Sequence, residues 1–339
     1  MNLNFNALIA ACATLVVLVL LSATFELPPA ASQQTGYRGL SIGTVVNKRK
    51  QEALLAAQIV PEAQPAADPG GKKASEVYKN VQVLGDLTEN EFNRLMAAIT
   101  EWVSPEQGCA YCHGEEGNFA EDKLYTKAVS RRMIQMTRHI NVDWKQHVAA
   151  TGVTCYTCHR GNPVPENIWF TKPATPQAGG NAALRNGQNE PAASVGLTSL
   201  PNDPLSMYLL SDQPIRVIAQ TALPQGHVST TQSTEAVYAM MLHQSQSLGV
   251  NCTFCHNSRA FSSWEQSPPQ RTVAWHGQRL LRDLNVKYLV PLQSTYPQNR
   301  LGPLGDAPKA NCATCHQGVN KPLNGAKVLK DYPELAKNP

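Results

Sequence analysis

The most continuous hydrophobic run lies at the amino terminus, where Leu8 to Phe25 spans 18 residues without a charge and is dominated by Leu, Val, Ala and Ile. At about 1.5 Å per helical residue such a run nearly crosses a hydrocarbon core of about 30 Å, so it predicts one transmembrane helix. It lacks the Lys and Arg of a signal-peptide n-region, and an uncleaved anchor is the expectation. Further along, apolar residues at Phe92, Leu95, Met96, Ile99 and Val103 recur with helical spacing and predict a helix over Glu89 to Val103. Others are expected over Val46 to Ala57, Ala128 to Val142, Asp203 to Leu210 and Glu235 to Leu248, the last stopped by Gly249. Gly and Pro concentrate in 61–71 and 161–226, which predicts long irregular connections. The expected class is mainly α with extensive coil and little sheet.

Composition narrows the function. The 339 residues suffice for about two domains. Charged residues make up 16%, with 29 basic against 25 acidic and no block of like charge, so nucleic-acid binding is disfavoured. Eight of the nine cysteines fall in four copies of one pattern: Cys109-Ala-Tyr-Cys112-His113, Cys155-Tyr-Thr-Cys158-His159, Cys252-Thr-Phe-Cys255-His256 and Cys312-Ala-Thr-Cys315-His316. This is the c-type haem signature. Two thiols separated by one short turn can add to the two vinyl groups of a porphyrin, while the adjacent imidazole reaches its iron. Four-thiolate zinc sites would leave four regularly placed histidines without a role, and disulfides or thioredoxin-like pairs are disfavoured for the same reason. Four covalently attached c-type haems are therefore expected. The ninth cysteine, Cys12, follows Ile9-Ala10-Ala11 as at a lipoprotein-processing site, but it lies inside the hydrophobic run and is expected to face lipid. Arg38, Lys48, Arg49 and Lys50 all follow the span and would by themselves place the body in the cytoplasm. Haem attachment, which happens outside the cytoplasmic membrane, overrides that signal.

The sixth ligand decides whether a haem carries electrons or does chemistry. Met96 precedes Cys109 by 13 residues and Met241 precedes Cys252 by 11, each on a predicted helix. Met133 and Met136 precede Cys155 by 22 and 19, and spacing does not choose between them. No methionine lies between Met241 and Cys312, so the fourth iron must take a ligand from elsewhere or stay open. Of the spare histidines His139, His147, His227, His243 and His276, the serious candidates are His147 and His276, and periodicity does not separate them.

An internal repeat aligns Arg138-His-Ile-Asn-Val-Asp-Trp144 with Arg282-Asp-Leu-Asn-Val-Lys-Tyr288 at an offset of 144 residues. The expected organisation is an anchor (1–27), an extended segment (28–84), a first dihaem half (85–165), a connecting segment (166–229), a second, pseudo-symmetric dihaem half (230–325) and a tail (326–339). Around the first motif Glu101, Glu106, Glu115, Glu116, Glu121 and Asp122 face only Lys123 and Lys127, an acidic rim suited to steering a basic carrier.

These residues resemble the tetrahaem cytochrome subunit of purple-bacterial photosynthetic reaction centres, most specifically in Met133-Ile-Gln-Met-Thr-Arg138, His147, Gly152-Val-Thr154 and Cys155-Tyr-Thr-Cys-His-Arg-Gly161. The resemblance covers roughly 75–325. It implies methionine ligands at Met96, Met133 and Met241 opposite His113, His159 and His256, and His147 opposite His316. It implies an electron carrier without substrate chemistry, on the periplasmic side of the inner photosynthetic membrane. Its implied partners are the L and M subunits, a soluble donor (cytochrome c2 or a high-potential iron–sulfur protein) and, as a candidate neighbour of the anchor, light-harvesting antenna. Many members carry a lipidated cysteine after the signal, and here none follows the hydrophobic run. The competing readings are a membrane-anchored multihaem cytochrome of anaerobic respiration passing quinol electrons to a periplasmic reductase, and a catalytic haem at an open fourth site.

Overall fold

Thr88 opens the helix Glu89–Val103 with a reciprocal cap: its hydroxyl accepts from the Glu91 N–H, and the Glu91 carboxylate accepts from the Thr88 N–H at 2.9 Å. The helix buries Leu95, Ala98 and Trp102 against Leu84, Leu87, Ile134 and Cys155. This computed structural model describes residues 4–24, 30–35, 42–173, 192–217 and 230–337. His227 and most of 173–195 lie outside them.

The architecture is mainly helical. The amino-terminal helix Phe5–Thr24 is apolar along its length and buries nothing against the rest of the chain. The hairpin of Ala31–Thr35 and Ile42–Val46, paired antiparallel with Ala31 opposite Val46, was not expected, and it is the one sheet among the described residues. The helix expected over Val46 to Ala57 spans Lys48–Ala56, capped by the Asn47 side chain. The other long helices are Tyr125–Asp143, Thr231–Leu248 and Gln270–Leu284, the last continuing as a π-turn over Asn285–Leu289. Gly249 ends Thr231–Leu248 in the left-handed conformation at φ 62°.

Segments expected to be peripheral supply core. Trp169, Leu205, Tyr208 and Leu209, from the connecting segment, pack with Ala236, Met240, Leu281 and Cys312. Tyr332 and Leu335, from the carboxy-terminal stretch, close the core around Leu95 and Trp102. Burial of these side chains follows from the helices alone leaving their apolar stripes uncovered.

The repeated asparagines do the same work. Asn141 Nδ2 donates to the Val153 carbonyl (2.9 Å) and its Oδ1 accepts from the Val153 N–H (2.8 Å). Asn285 holds Ala310 identically, at 2.9 Å both ways. Val153 and Ala310 each stand two residues before a motif cysteine. Likewise the Gly161 N–H donates to Trp102 O at 2.9 Å, and the Gly318 N–H to Ser247 O at 2.8 Å, so the loops leaving the second and fourth motifs each dock on the end of a methionine-bearing helix.

Candidate haem site

Each motif histidine is held by its Nδ1. The partner is the carbonyl of Phe119 for His113 (3.3 Å), Asn162 for His159 (2.8 Å), Phe261 for His256 (2.9 Å) and Val319 for His316 (3.0 Å). A ring that donates through Nδ1–H keeps its Nε2 lone pair for a metal. Among the described residues no hydrogen bond reaches Nε2 of any of the four. The backbone makes this possible at the second and fourth motifs by two successive left-handed residues, Arg160–Gly161 and Gln317–Gly318, which turn the chain back so that the third residue's carbonyl meets the ring.

His147 is a fifth imidazole of this kind, and the only spare histidine with that pattern among those described. Its Nδ1 lies 2.9 Å from the Val273 carbonyl, and its ring centre is 5.9 Å from that of His316. A metal–imidazole bond is about 2 Å and the ring centre lies roughly another ångström behind the nitrogen, so two rings sharing one metal stand about 6 Å apart. The other spare histidines are used differently. Both ring nitrogens of His139 face carboxylates, Asp143 at 2.7 Å and Asp283 at 2.5 Å. The His276 ring packs edge-on against Trp275, and His243 is buried beside Ser247.

Met96 and Met133 line one cavity of about 630 Å³, together with Cys109, Cys112, His113, Cys155 and His159. Its size is that of a cofactor cleft. Met136 packs elsewhere, with Ile140, Leu280 and Leu284. Met240 is fully buried in the second core, while its neighbour Met241 lies half-buried outside both groupings.

Burial pushes His316 down to about 4, with His147 adding to the shift, and also lowers His113, His147, His159 and His256. All five are neutral near pH 7, the form that ligates iron. Burial likewise pushes the Cys155 and Cys312 thiols up to about 12 and Cys255 to about 11. Each reduced motif sulfur carries the S–H that adds across a vinyl double bond, hydrogen going to one carbon and sulfur to the other, and together with the neutral imidazoles this donor set fits c-type haem.

One feature runs against expectation. The helices Cys155–His159 and Cys312–His316 abut, and Cys158 and Cys315 are joined as a disulfide with their Cα atoms 4.5 Å apart. A sulfur bonded to sulfur cannot also be bonded to a vinyl carbon, so the two assignments exclude each other. The acidic rim is also less free than its composition implied. Lys123 bridges Glu116 and Glu121, and Arg131, which the sequence reading omitted, holds Asp122 well below the usual carboxylate range together with Lys127. Glu106 and Glu115 carry no ion pair among the described residues.

Residues 26–336 match the family model of the photosynthetic reaction centre cytochrome C subunit. The chain belongs to that family. It is 50% identical to the reaction center cytochrome c subunit of Rubrivivax gelatinosus, across 98% of this chain and 92% of the relative. The corresponding subunit of Thermochromatium tepidum is 49% identical, across 96% and 80%, and that of Roseobacter denitrificans 44%, across 90% and 85%. Membership in the reaction centre cytochrome family makes the chain a haem-bearing electron carrier that serves a photosynthetic reaction centre, with Phe5–Thr24 suited to anchoring it in the membrane. The respiratory alternative is thereby set aside.

Proposed function

We propose that the chain holds four haems as two dihaem halves, takes electrons from a soluble periplasmic carrier and passes them to the oxidised special pair carried by the L and M subunits. The five imidazoles fixed through Nδ1 with Nε2 free, four in motifs and one facing His316, carry this reading. Haem supplies reversible one-electron chemistry at iron. The eight motif cysteines would anchor it, His113, His159, His256 and His316 would be the proximal ligands, and Met96, Met133, Met241 and His147 the distal ones. Methionine thioethers raise the potential relative to a second imidazole, which suits three of the sites to a strong photo-oxidant. The equivalent hydrogen bonds of Asn141 and Asn285 support the two halves.

The test is a redox titration of the purified membrane complex with flash-induced oxidation followed in the same sample. High midpoint potentials for most haems and fast oxidation after the flash are expected. Uniformly low potentials with no flash response overturn the reading.

Eight thioethers leave Cys12 as the single titratable thiol of nine cysteines. Denatured holoprotein should therefore take up one alkylating label, with or without prior reduction. Two further labels after reduction would mean that Cys158–Cys315 persists and that the second and fourth haems are each held by one sulfur.

A basic donor would dock at the first motif, where Cys109 and Phe119 are exposed. Replacing two rim carboxylates that carry no ion pair among the described residues, Glu106→Gln with Glu115→Gln, should slow association at low salt and matter less as salt rises. An unchanged rate and salt dependence would move the docking site elsewhere.

A further inference from the structure

The offset of 144 that aligns Arg138 with Arg282 and Asn141 with Asn285 also aligns Met133 with Gly277. Both lie in the helix that runs into the repeated asparagine, Tyr125–Asp143 in one case and Gln270–Leu284 in the other. The first copy therefore carries a methionine that lines the cavity of Cys155 and His159, where the second carries no side chain at all.

The emptied position is filled from the other half. A Cβ built at Gly277 would lie 2.5 Å from His147 Cε1, 2.8 Å from its Nδ1 and 3.1 Å from its Nε2, so the ring rests where a side chain would begin. The Val273 carbonyl that accepts from His147 Nδ1 is one turn earlier on the same helix. Gly277 is in the helix interior with ordinary helical geometry, so no backbone demand explains a residue that weakens helices relative to alanine. Space for the ring does.

We propose that Gly277 is the specificity-determining position of the fourth haem: it is the vacated seat of a methionine ligand, and its lack of a side chain admits the His147 ring opposite His316. Gly277 is a positioning residue, acting through His147, and the proposal rests on the reading of His147 as an iron ligand. The Val273 carbonyl fixes the ring's tautomer and aims Nε2, and the glycine lets the ring reach that carbonyl. Any side chain at 277 expels the ring, and a methionine there restores the ligand type of the first half.

Three variants of the holoprotein in its membrane complex test this, read by electron paramagnetic resonance of the ferric haems, by the fourth haem's midpoint potential and by haem content. H147A should lose the bis-imidazole signal; its retention overturns the ligand reading itself. G277A should lose the same signal while four haems stay attached, because the thioethers are untouched. A bis-imidazole signal and potential unchanged in G277A overturn the role of Gly277 while leaving His147 as ligand. The double variant H147A/G277M removes the clash and should give a low-spin methionine–histidine haem with a potential above that of the native fourth haem. A high-spin fourth haem in that variant, or its failure to accumulate where H147A does, overturns the equivalence of positions 133 and 277.

Discussion

Asn285→Ala is expected to destabilise the protein by about 2–4 kcal/mol, a large share of the stability margin of many domains. The side chain is fully buried, donates to Leu209 O (3.2 Å) and Ala310 O (2.9 Å), and accepts from the Ala310 N–H (2.9 Å). Alanine leaves the Leu209 carbonyl and the Ala310 N–H without this partner, each worth about 1–3 kcal/mol when buried, less what local relaxation and entering water recover, while the Ala310 carbonyl keeps the Trp169 Nε1–H at 3.0 Å. Aspartate is no remedy, since it keeps the acceptor but turns a buried charge towards two carbonyl oxygens. Asn141→Ala should behave alike, as its amide joins Val153 to the Leu335 carbonyl. Urea unfolding followed by circular dichroism measures both. A loss below about 1 kcal/mol would mean that water reaches these carbonyls without disturbing the fold.

The repeat that contains these asparagines was legible in the sequence, while their task was not. Arg-x-x-Asn-Val-x-aromatic at an offset of 144 announces a duplicated helix, yet nothing in the pattern says that the asparagine leaves the helix face to hold the approach to a motif cysteine. That contact joins Asn141 to residue 153 and Asn285 to residue 310, separations that periodicity does not reach. Helix existence was legible for a simple reason, since the apolar stripes of Glu89–Val103 and Tyr125–Asp143 face continuous cores. Spacing left Met133 and Met136 tied. The two are three residues apart and share one side of the helix, and only the packing sends Met136 to Ile140 and Leu280 and leaves Met133 on the cavity.

Histidine sorting was half legible. The motif histidines follow from spacing alone, but the Nδ1 partners that leave Nε2 available are backbone carbonyls, to which sequence is blind. His147 and His276 were tied in the sequence for that reason. The glycine beside His276 was the readable signal: an unforced glycine inside a helical pattern marks close approach of another group. Connections misled in the opposite direction. Trp169 and Tyr208 lie in a stretch rich in Gly and Pro, yet the large aromatic and aliphatic residues within it are the ones that end in the core.

Arg94→Ala should be the most damaging change at the surface of the first core, at about 3–5 kcal/mol, the usual scale for stranding one partner of a buried ion pair. Arg94 ties three distant parts of the chain. Its Nη1 lies 3.2 Å from Glu334 Oε1, with both side chains below 10% exposed at 8% and 5%. Its Nε donates to Pro65 O (2.7 Å), and its Nη2 to Gln64 O and Asp331 O (both 2.8 Å). The guanidinium carbon also stands 4.2 Å from the centre of the Tyr332 ring, which in turn meets Trp102 edge-on at 4.6 Å. Lysine offers one point charge in place of this fork, so Arg94→Lys should recover only part of the loss. The double variant R94A/E334Q should lose less than R94A, because the stranded carboxylate is then gone. Limited proteolysis separates clamp from general stability. If Arg94 holds the carboxy-terminal turn, R94A is cut first beyond Lys330, and cutting spread evenly over the chain would show that the pair stabilises the fold without fastening that turn. Met96 stands two residues further along the same helix, so release of the clamp should also shift the midpoint potential of the first haem, whose proposed ligand it carries.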